Sequence, residues 1–149
     1  MTQSFEDILS MPIEDIKRPP AMPAGQYLAI VNGAPTEEGT EESPRYIFPV
    51  KLVQALQVDQ HELTEALNGR TLSEVPMRLT HWLSKNGPYR LKIFLQNHLD
   101  IHSSGTLGKI AQEAPGREFI ATVTHREYNG QIYAEITGTA HVGGPPRAA

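Results

Sequence analysis

The chain has 149 residues, of which 39% are hydrophobic and 20% charged, and it contains no cysteine. This composition is typical of one folded domain and excludes disulfides, thiolate chemistry and cysteine-ligated metals. No membrane-length apolar run or signal segment is present, so we expect a cytoplasmic protein without a membrane partner.

The N-terminal third predicts peripheral structure followed by two strands. Residues 1–22 fit a short helix and a proline-rich strap, because clustered prolines exclude regular structure. A first strand begins at Gly25 in "GQYLAIV", and "RYIFPVKLVQAL" at residues 45–56 predicts a second strand antiparallel to it. Pro49 has no N–H to donate, which predicts an edge position or a bulge.

Between these strands, residues 35–44 predict an acidic loop that contains Glu37, Glu38, Glu41 and Glu42. The loop is either a solvated turn or an element that repels or regulates an anionic ligand. The net charge of −4 disfavours a strongly basic nucleic-acid binder. The acids are concentrated early, however: residues 1–62 carry four Lys/Arg against ten Asp/Glu, and residues 63–149 carry nine against seven. Local charge therefore leaves nucleic-acid binding open.

The rest of the chain alternates helices with strands. "VDQHELTEALNGR" predicts a helix capped by Asp59, residues 76–83 favour a strand, and "PYRLKIFLQNHL" predicts a helix. Its core-facing residues are Leu91, Phe94, Leu95 and Leu99. "GTLGKIAQEAPG" is a short helix or an irregular turn, a β-hairpin follows, and residues 143–149 form a flexible tail. This order predicts a mainly β fold for residues 23–142: a five-stranded, partly open OB-like barrel with two to three helical insertions.

The closing hairpin, "THREYNGQIYAEI", has Asn129-Gly130 at its centre, a pair typical of two-residue turns because both residues tolerate positive φ. This turn places Arg126, Tyr128, Tyr133 and their neighbours on one face, which Thr122 and Thr137 extend. The opposite face is predicted to be buried: Phe119, Ala121, Val123, Ile132, Ala134 and Ile136. Either Arg126 stacks on Tyr133 to hold the hairpin, or the first face is a platform for unpaired bases.

A second arginine and aromatic pair lies in "RLTHWLSK". Read as a strand, this segment places Arg78 and Trp82 on one face, and Trp82 is either a core residue or a DNA-facing one. On the next helix, i, i+3 and i+4 spacing predicts a polar stripe of Lys85, Tyr89, Lys92 and Gln96, with Arg90 close by. Such a stripe is either solvated or in contact with phosphates.

Known catalytic and metal motifs are incomplete in this chain. "HELTE" at His61 has Glu65 where a zinc protease needs a second histidine, and the helix is predicted to end between His98 and His102. "GTLGKI" has the wrong spacing for a phosphate-binding loop. We therefore expect no catalytic residue, no metal and no cofactor.

The motifs "LTHWLS…YRLKIFL", "GREFIATVTHREYNGQIYAEI" and "PAGQYLAIV" together resemble a family of phage- and prophage-encoded proteins related to single-stranded-DNA-binding proteins. The resemblance covers residues 23–54 and 77–138. It implies an OB-like fold and sequence-tolerant binding of single-stranded DNA in phage replication or recombination, within the host cytoplasm. The C-terminal "GGPPRAA" lacks the acidic tail with which many such proteins recruit replication partners, and the acidic loop has no counterpart in the family.

The predicted function is thus non-catalytic binding and protection of single-stranded DNA, with phage replication or recombination proteins or a second copy of the chain as further partners. The predicted stacking residues are Trp82, Tyr128 and Tyr133. The predicted phosphate contacts are Arg45, Arg78, Lys85, Arg90, Lys92 and Arg126. Two alternatives remain: a protein-interaction module that uses the tyrosines and Arg126, and a small nuclease or nuclease accessory whose carboxylates meet in space.

Overall fold

The computed structural model describes residues 9, 10, 12, 13 and 20–142. The strands are β1 Gly25–Val31, β2 Thr36–Gly39, β3 Pro44–Gln57, β4 Pro76–Trp82, β5 Glu118–Tyr128 and β6 Gln131–Ala140. The helices are α1 Gln60–Leu67, α2 Gly87–Ile93 and α3 Leu107–Ala111, with a 3₁₀ turn at Leu72–Glu74 and a π turn at Phe94–His98. Most of the predicted N-terminal helix and strap, and the predicted tail, lie outside the described residues.

All strand pairs are antiparallel and belong to one sheet. The long β3 pairs with β4 along one edge and with β2 and then β1 along the other, while β5 joins β1 to β6. β4 and β6 approach each other, but within the described part of the chain no ladder joins them. The mainly β, partly open barrel expected from sequence is therefore confirmed, with six strands instead of five.

The additional strand corrects the expectation of a loop at residues 35–44. Thr36–Gly39 pair with β3, and all four residues of this strand are exposed. Alternating hydrophobicity, the usual sign of a strand, is absent from "TEEG" because neither face of this short arm is buried. The acidic segment is consequently held against the barrel by backbone pairing.

The prediction that Pro49 marks an edge or a bulge is also wrong, because β3 is an internal strand. Ile47 is the last residue of β3 paired with β2, and Val50 is the first paired with β1. Pro49 lies between them, where no ladder needs its missing N–H, and its carbonyl accepts a bond from the Asn32 N–H at 2.7 Å.

The core lies inside the barrel and beneath α2. Tyr27, Phe48 and Phe119 are fully buried, and the four predicted core residues of the second helix are buried as expected: Leu91, Phe94, Leu95 and Leu99. Burying each such side chain stabilises the fold by roughly 1.5–3 kcal/mol. The helix and its π turn contact β4 and β6 respectively, so they cover the side of the barrel where those two strands do not pair.

The hairpin pairs as predicted from its turn to Val123 and Ile136, and a bulge then shifts the register so that Thr122 pairs with Gly138. Oγ1 of Thr124 donates to Oγ1 of Thr137 at 3.2 Å, so Thr137 extends the predicted face. Ile132 is 53% exposed, which contradicts its predicted burial. The reason is the length of the strands, since the outer part of the hairpin extends beyond the barrel and both of its faces meet solvent. In the described ranges, no helix is long and apolar enough to cross a bilayer.

Candidate nucleic-acid interface

The outer end of the hairpin carries the first part of the candidate site. Asn129 and Gly130 have φ angles of 52° and 75°, so the turn adopts the positive-φ geometry expected of Asn-Gly. Beyond it, Tyr128 and Tyr133 are 57% and 36% exposed. With Arg126, Ala134 and Glu135 they line a shallow depression, named here the hairpin hollow.

Arg126 and Tyr133 are cross-strand partners in this hollow, as the sequence predicts. The Tyr133 hydroxyl donates to Oε1 of Gln131 at 3.0 Å. Among the described residues, the Arg126 side chain makes no hydrogen bond or ion pair. Its guanidinium therefore keeps its donors available for an anion beside two exposed aromatic rings.

A second depression, the strand hollow, lies on the outer face of β3 and β4. Arg45 and Arg78 line it together with Glu38, which β2 brings to the same place. Nη2 of Arg78 lies 2.9 Å from Oε2 of Glu38, so this predicted phosphate contact already has an anionic partner. Glu135 lines the hollow from the hairpin side. Glu135 lines both hollows, so each holds as many acidic as basic side chains; they differ because Arg78 is ion-paired, whereas Arg126 is in no ion pair among the described residues.

Trp82, at the end of β4, is 52% exposed, and this finding excludes the alternative that it is a core residue. The guanidinium carbon of Arg45, its partner in the β3–β4 ladder, lies 5.2 Å from the centre of the indole ring. A cation in this position is attracted to the face of the ring, and the contact orients the indole. Nε of Arg45 is buried and has no hydrogen-bond partner in the described part of the chain.

Gly87 fixes helix α2 against the end of β4. A Cβ at this position would lie 1.8 Å from the carbonyl oxygen of Trp82, which no larger residue can tolerate. Pro88 follows in the first turn, where its missing N–H costs nothing. This close approach brings Tyr89 and Arg90 next to Trp82, and all three line the same cleft.

That cleft, named here the seam cleft, lies where β4 and β6 fail to pair. Leu79, Ile93 and Ile136 supply its apolar surface. His81 also lines it, with its ring 4.9 Å from that of Phe94. Burial lowers the pKa of His81 to about 4, with a smaller contribution from nearby His98, so the imidazole is neutral at pH 7.

Both His81 and His98 carry hydrogen-bonding atoms in the seam cleft. Nδ1 of His98 lies 2.7 Å from Oγ1 of Thr139, and burial lowers its pKa as well, assisted by His141. Nε2 of His81, in contrast, is buried and has no hydrogen-bond partner among the described residues. Unpartnered buried nitrogens are rare in folded proteins, so this imidazole keeps one unused polar atom beneath the cleft surface.

The three depressions form one continuous track. Thr80 lines both the seam cleft and the strand hollow, and Ala134 and Glu135 line both the strand hollow and the hairpin hollow. Seven of the nine predicted site residues line this track: Trp82, Tyr128, Tyr133, Arg45, Arg78, Arg90 and Arg126. Residues far apart in sequence are thereby brought to one side of the barrel.

Lys85 and Lys92 line none of these three depressions. The predicted stripe that began at Lys85 is wrong, because α2 starts at Gly87 and Lys85 precedes it with a φ of 54°. Lys92 lies on α2 but is not part of the lining that Tyr89, Arg90 and Ile93 provide. Both lysines are exposed.

Sequence reasoning missed three members of the site: Glu38, His81 and His98. Glu38 meets Arg78 across 40 positions of sequence, and no local pattern reveals such a pairing. His81 carried a weak signal, since it alternates with Met77 and Leu79 on the inner face of β4.

The assembled groups are suited to non-covalent binding. Aromatic rings, guanidinium groups and neutral imidazoles can stack on, pair with and orient a flat anionic ligand. Within residues 9, 10, 12, 13 and 20–142, no group of three or more His, Asp or Glu side chains is placed to hold a metal ion. No protein-family model matches the chain, and a comparison with curated proteins gives no match.

Proposed function

We propose that this chain is a non-catalytic, sequence-tolerant single-stranded-DNA-binding protein that coats and protects unpaired DNA, as its phage-like motifs suggest. One observation carries the proposal: the continuous track that joins the three predicted stacking residues to four of the six predicted phosphate contacts. The family resemblance and the OB-like barrel support the same function, because OB barrels commonly bind oligonucleotides.

The chemistry of the track fits an unpaired strand. Stacking of a base on an aromatic ring contributes about 1–3 kcal/mol and does not depend on the base, since every base has a π-face. Trp82 lies at one end of the track and Tyr128 and Tyr133 at the other, with arginines at both ends and between them. Guanidinium groups bind phosphates whatever the sequence. Such a surface favours single strands, because duplex bases hide their faces.

A specific observation favours a second candidate function, a protein-interaction module. Ile132 is 53% exposed on one face of the hairpin, and Tyr128 is 57% exposed on the other. Exposed aromatic and aliphatic side chains beside an arginine are typical of the central residues of protein interfaces. On this alternative, the hairpin tip anchors a partner protein or a second copy of the chain.

A fluorescence titration with oligo-dT at low and at high salt tests the proposed function, with duplex DNA as the control. The single tryptophan is half exposed on the track, so we expect the single strand to quench its emission saturably. Salt should weaken this binding because bound phosphates release counterions. Anisotropy of a labelled strand provides an independent signal. If neither signal responds at low salt, the DNA-binding proposal is wrong and the interaction module takes its place.

A further inference from the structure

The seam cleft has more depth and more polar groups than a stacking platform requires. Its volume is about 460 Å³, within the range of roughly 300–1,000 Å³ that small-molecule sites occupy. The hairpin hollow lies on the outer surface of two paired strands, whereas the seam cleft, like part of the strand hollow, lies between the unpaired β4 and β6. A flat ligand can therefore enter edge-first and be covered on both sides.

The lining of the cleft matches the parts of a nucleotide. Leu79, Ile93 and Ile136 form an apolar floor, and the exposed rings of Trp82 and Tyr89 stand at the entrance. A planar base loses little solvation on its faces and gains contacts when it is held between such groups.

The polar groups are placed to serve the edges of the base and the phosphate. The neutral imidazole of His81 lines the cleft, but its Nε2 is buried beneath the lining, so the polar groups that face a base directly are those of Thr137 and Thr139. Arg90 lines the cleft from α2 and makes no ion pair among the described residues. It is therefore the cation available to a phosphate.

We propose that the seam cleft seats one nucleotide unit, with the base inserted between β4 and β6 against the apolar floor and the 5′-phosphate on Arg90. We take this nucleotide to be part of a bound single strand, and that step rests on the proposed function. A base can enter the cleft only when it is unpaired and unstacked, so the cleft adds a physical reason for rejecting duplex DNA.

An NMR titration of the full chain tests this proposal with three probes: thymidine 5′-monophosphate, thymidine and deoxyribose 5-phosphate. We expect the monophosphate to shift the backbone amide signals of residues 79–82 and 136–139 saturably. Thymidine should shift the same signals at higher concentration, and the sugar phosphate should leave them nearly unmoved because it has no base.

Variants on α2 separate the contributions of base and phosphate. Arg90→Gln should weaken monophosphate binding about tenfold, as expected for one charge-assisted contact, and leave thymidine binding unchanged. Tyr89→Ala should weaken both ligands. Lys92→Gln is the matched control, since Lys92 lies on the same helix outside the cleft, and it should alter neither.

A titration with 5′-phosphorylated oligo-dT distinguishes a nucleotide of a bound strand from a free nucleotide. If it shifts the seam signals and competes with the monophosphate, the cleft holds a nucleotide of the strand. If the oligonucleotide binds the hairpin while the seam signals respond to no probe, the seam proposal is overturned and the proposed function stands. If only the monophosphate binds, the cleft is a site for free nucleotides and the proposed function is overturned.

Discussion

The two ends of the binding track present similar chemistry in different settings. At the hairpin tip, Arg126 stands beside Tyr128 and Tyr133 on two strands that extend beyond the barrel. At the end of β4, Arg45 lies over Trp82, on a strand held by its neighbour β3 and by α2. The tip has solvent on both faces, whereas the barrel end is held in place by the packing of β4 against β3 and α2.

The two settings also differ in charge. Arg126 has no anionic partner within the described chain, whereas Arg78 is already paired with Glu38 in the strand hollow. A phosphate can therefore bind Arg126 directly, but at Arg78 it must replace a carboxylate of the same chain. On the proposed function, a phosphate would thus bind Arg126 at the hairpin end and Arg90 at the barrel end directly, and would bind Arg78 between them by exchange with Glu38.

The largest effect is expected from removing one aromatic ring at each end. Trp82→Ala and Tyr133→Ala should each weaken binding to single strands by about 1–3 kcal/mol, for all sequences alike. The two residues line different depressions, so the double variant should lose about 2–6 kcal/mol if one strand spans both ends. Fluorescence of Trp82 is lost in one of these variants, so anisotropy of a labelled strand is the measurement.

Ile132→Ala is the control for the hairpin truncation, because Ile132 is exposed on the same arm but occupies the opposite face. It should leave strand binding and stability nearly unchanged. If Tyr133→Ala lowers the free energy of unfolding in step with binding, the tyrosine is structural. If the double variant is no weaker than the poorer single variant, the two ends do not hold the same strand.

This comparison also shows what could be predicted from the sequence. The hairpin is a local structure, so Asn129-Gly130 and strict alternation determined its pairing and the placement of Arg126, Tyr128 and Tyr133. The pairing of β1 with β3 was predictable for a related reason, since only the acidic segment separates them. The β3–β4 pair, which sets Arg45 opposite Trp82, and the β1–β5 pair join segments further apart and were not predicted.

What the sequence did not reveal depends on contacts between distant segments. Ile132 is exposed because the hairpin extends beyond the barrel. The alternation of residues predicts which face a side chain lies on, but it does not predict how far the hairpin extends. The pairing of Glu38 with Arg78 requires β2, a strand too short and too polar to show a pattern. The seam cleft exists because β4 and β6 do not pair. Whether these two strands pair depends on the tertiary fold as a whole, so no local sequence pattern predicts it.

The next effect concerns the pH dependence of the free energy of unfolding, to which the barrel end contributes through His81. His81 is buried beside the barrel end, and its pKa is lowered to about 4 from an unfolded value near 6.5. The unfolded chain therefore takes up the proton first as pH falls. The contribution of neutral His81 to the free energy of unfolding is therefore complete above about pH 6.5. It declines as the pH falls toward 4, where the loss is on the order of 3 kcal/mol. Urea unfolding at about pH 7.5 and about pH 4.5 measures this decline.

His81→Phe is the informative variant, because the ring already packs against Phe48 and Phe94. It should flatten the pH dependence, leaving the smaller part due to His98, whose pKa is also lowered by burial. An equally steep decline in this variant would show that His81 is not the group responsible.

A smaller effect, of opposite sign, is expected at the strand hollow. Glu38→Gln removes the carboxylate that occupies Arg78, so the arginine can bind phosphate without exchange. Single-strand binding should become several-fold tighter, and the salt dependence should steepen by about 0.7 in log–log slope for one added phosphate contact. Anisotropy titrations at several salt concentrations measure both quantities.

Glu41→Gln is the control, because it makes the same charge change next to β2 without an arginine partner among the described residues. Equal tightening in both variants would indicate general repulsion by the acidic segment, without competition at Arg78. No change in either would mean that the segment is only a solvated arm.

The smallest effect, and the sharpest test of the difference between the two ends, is expected at Arg126. Because this guanidinium has no ion-pair partner among the described residues, Arg126→Ala should make the salt slope shallower by about 0.7, the loss of one single-strand phosphate contact. Arg117→Ala is the matched control: Arg117 is exposed next to the other end of β5 and lines none of the three depressions. If both variants leave the slope unchanged while Glu38→Gln steepens it, the barrel end carries the phosphate contacts and the hairpin contributes only stacking. If Arg126→Ala alone flattens it, the strand is held electrostatically at the tip, where no acid of the described chain has to be displaced.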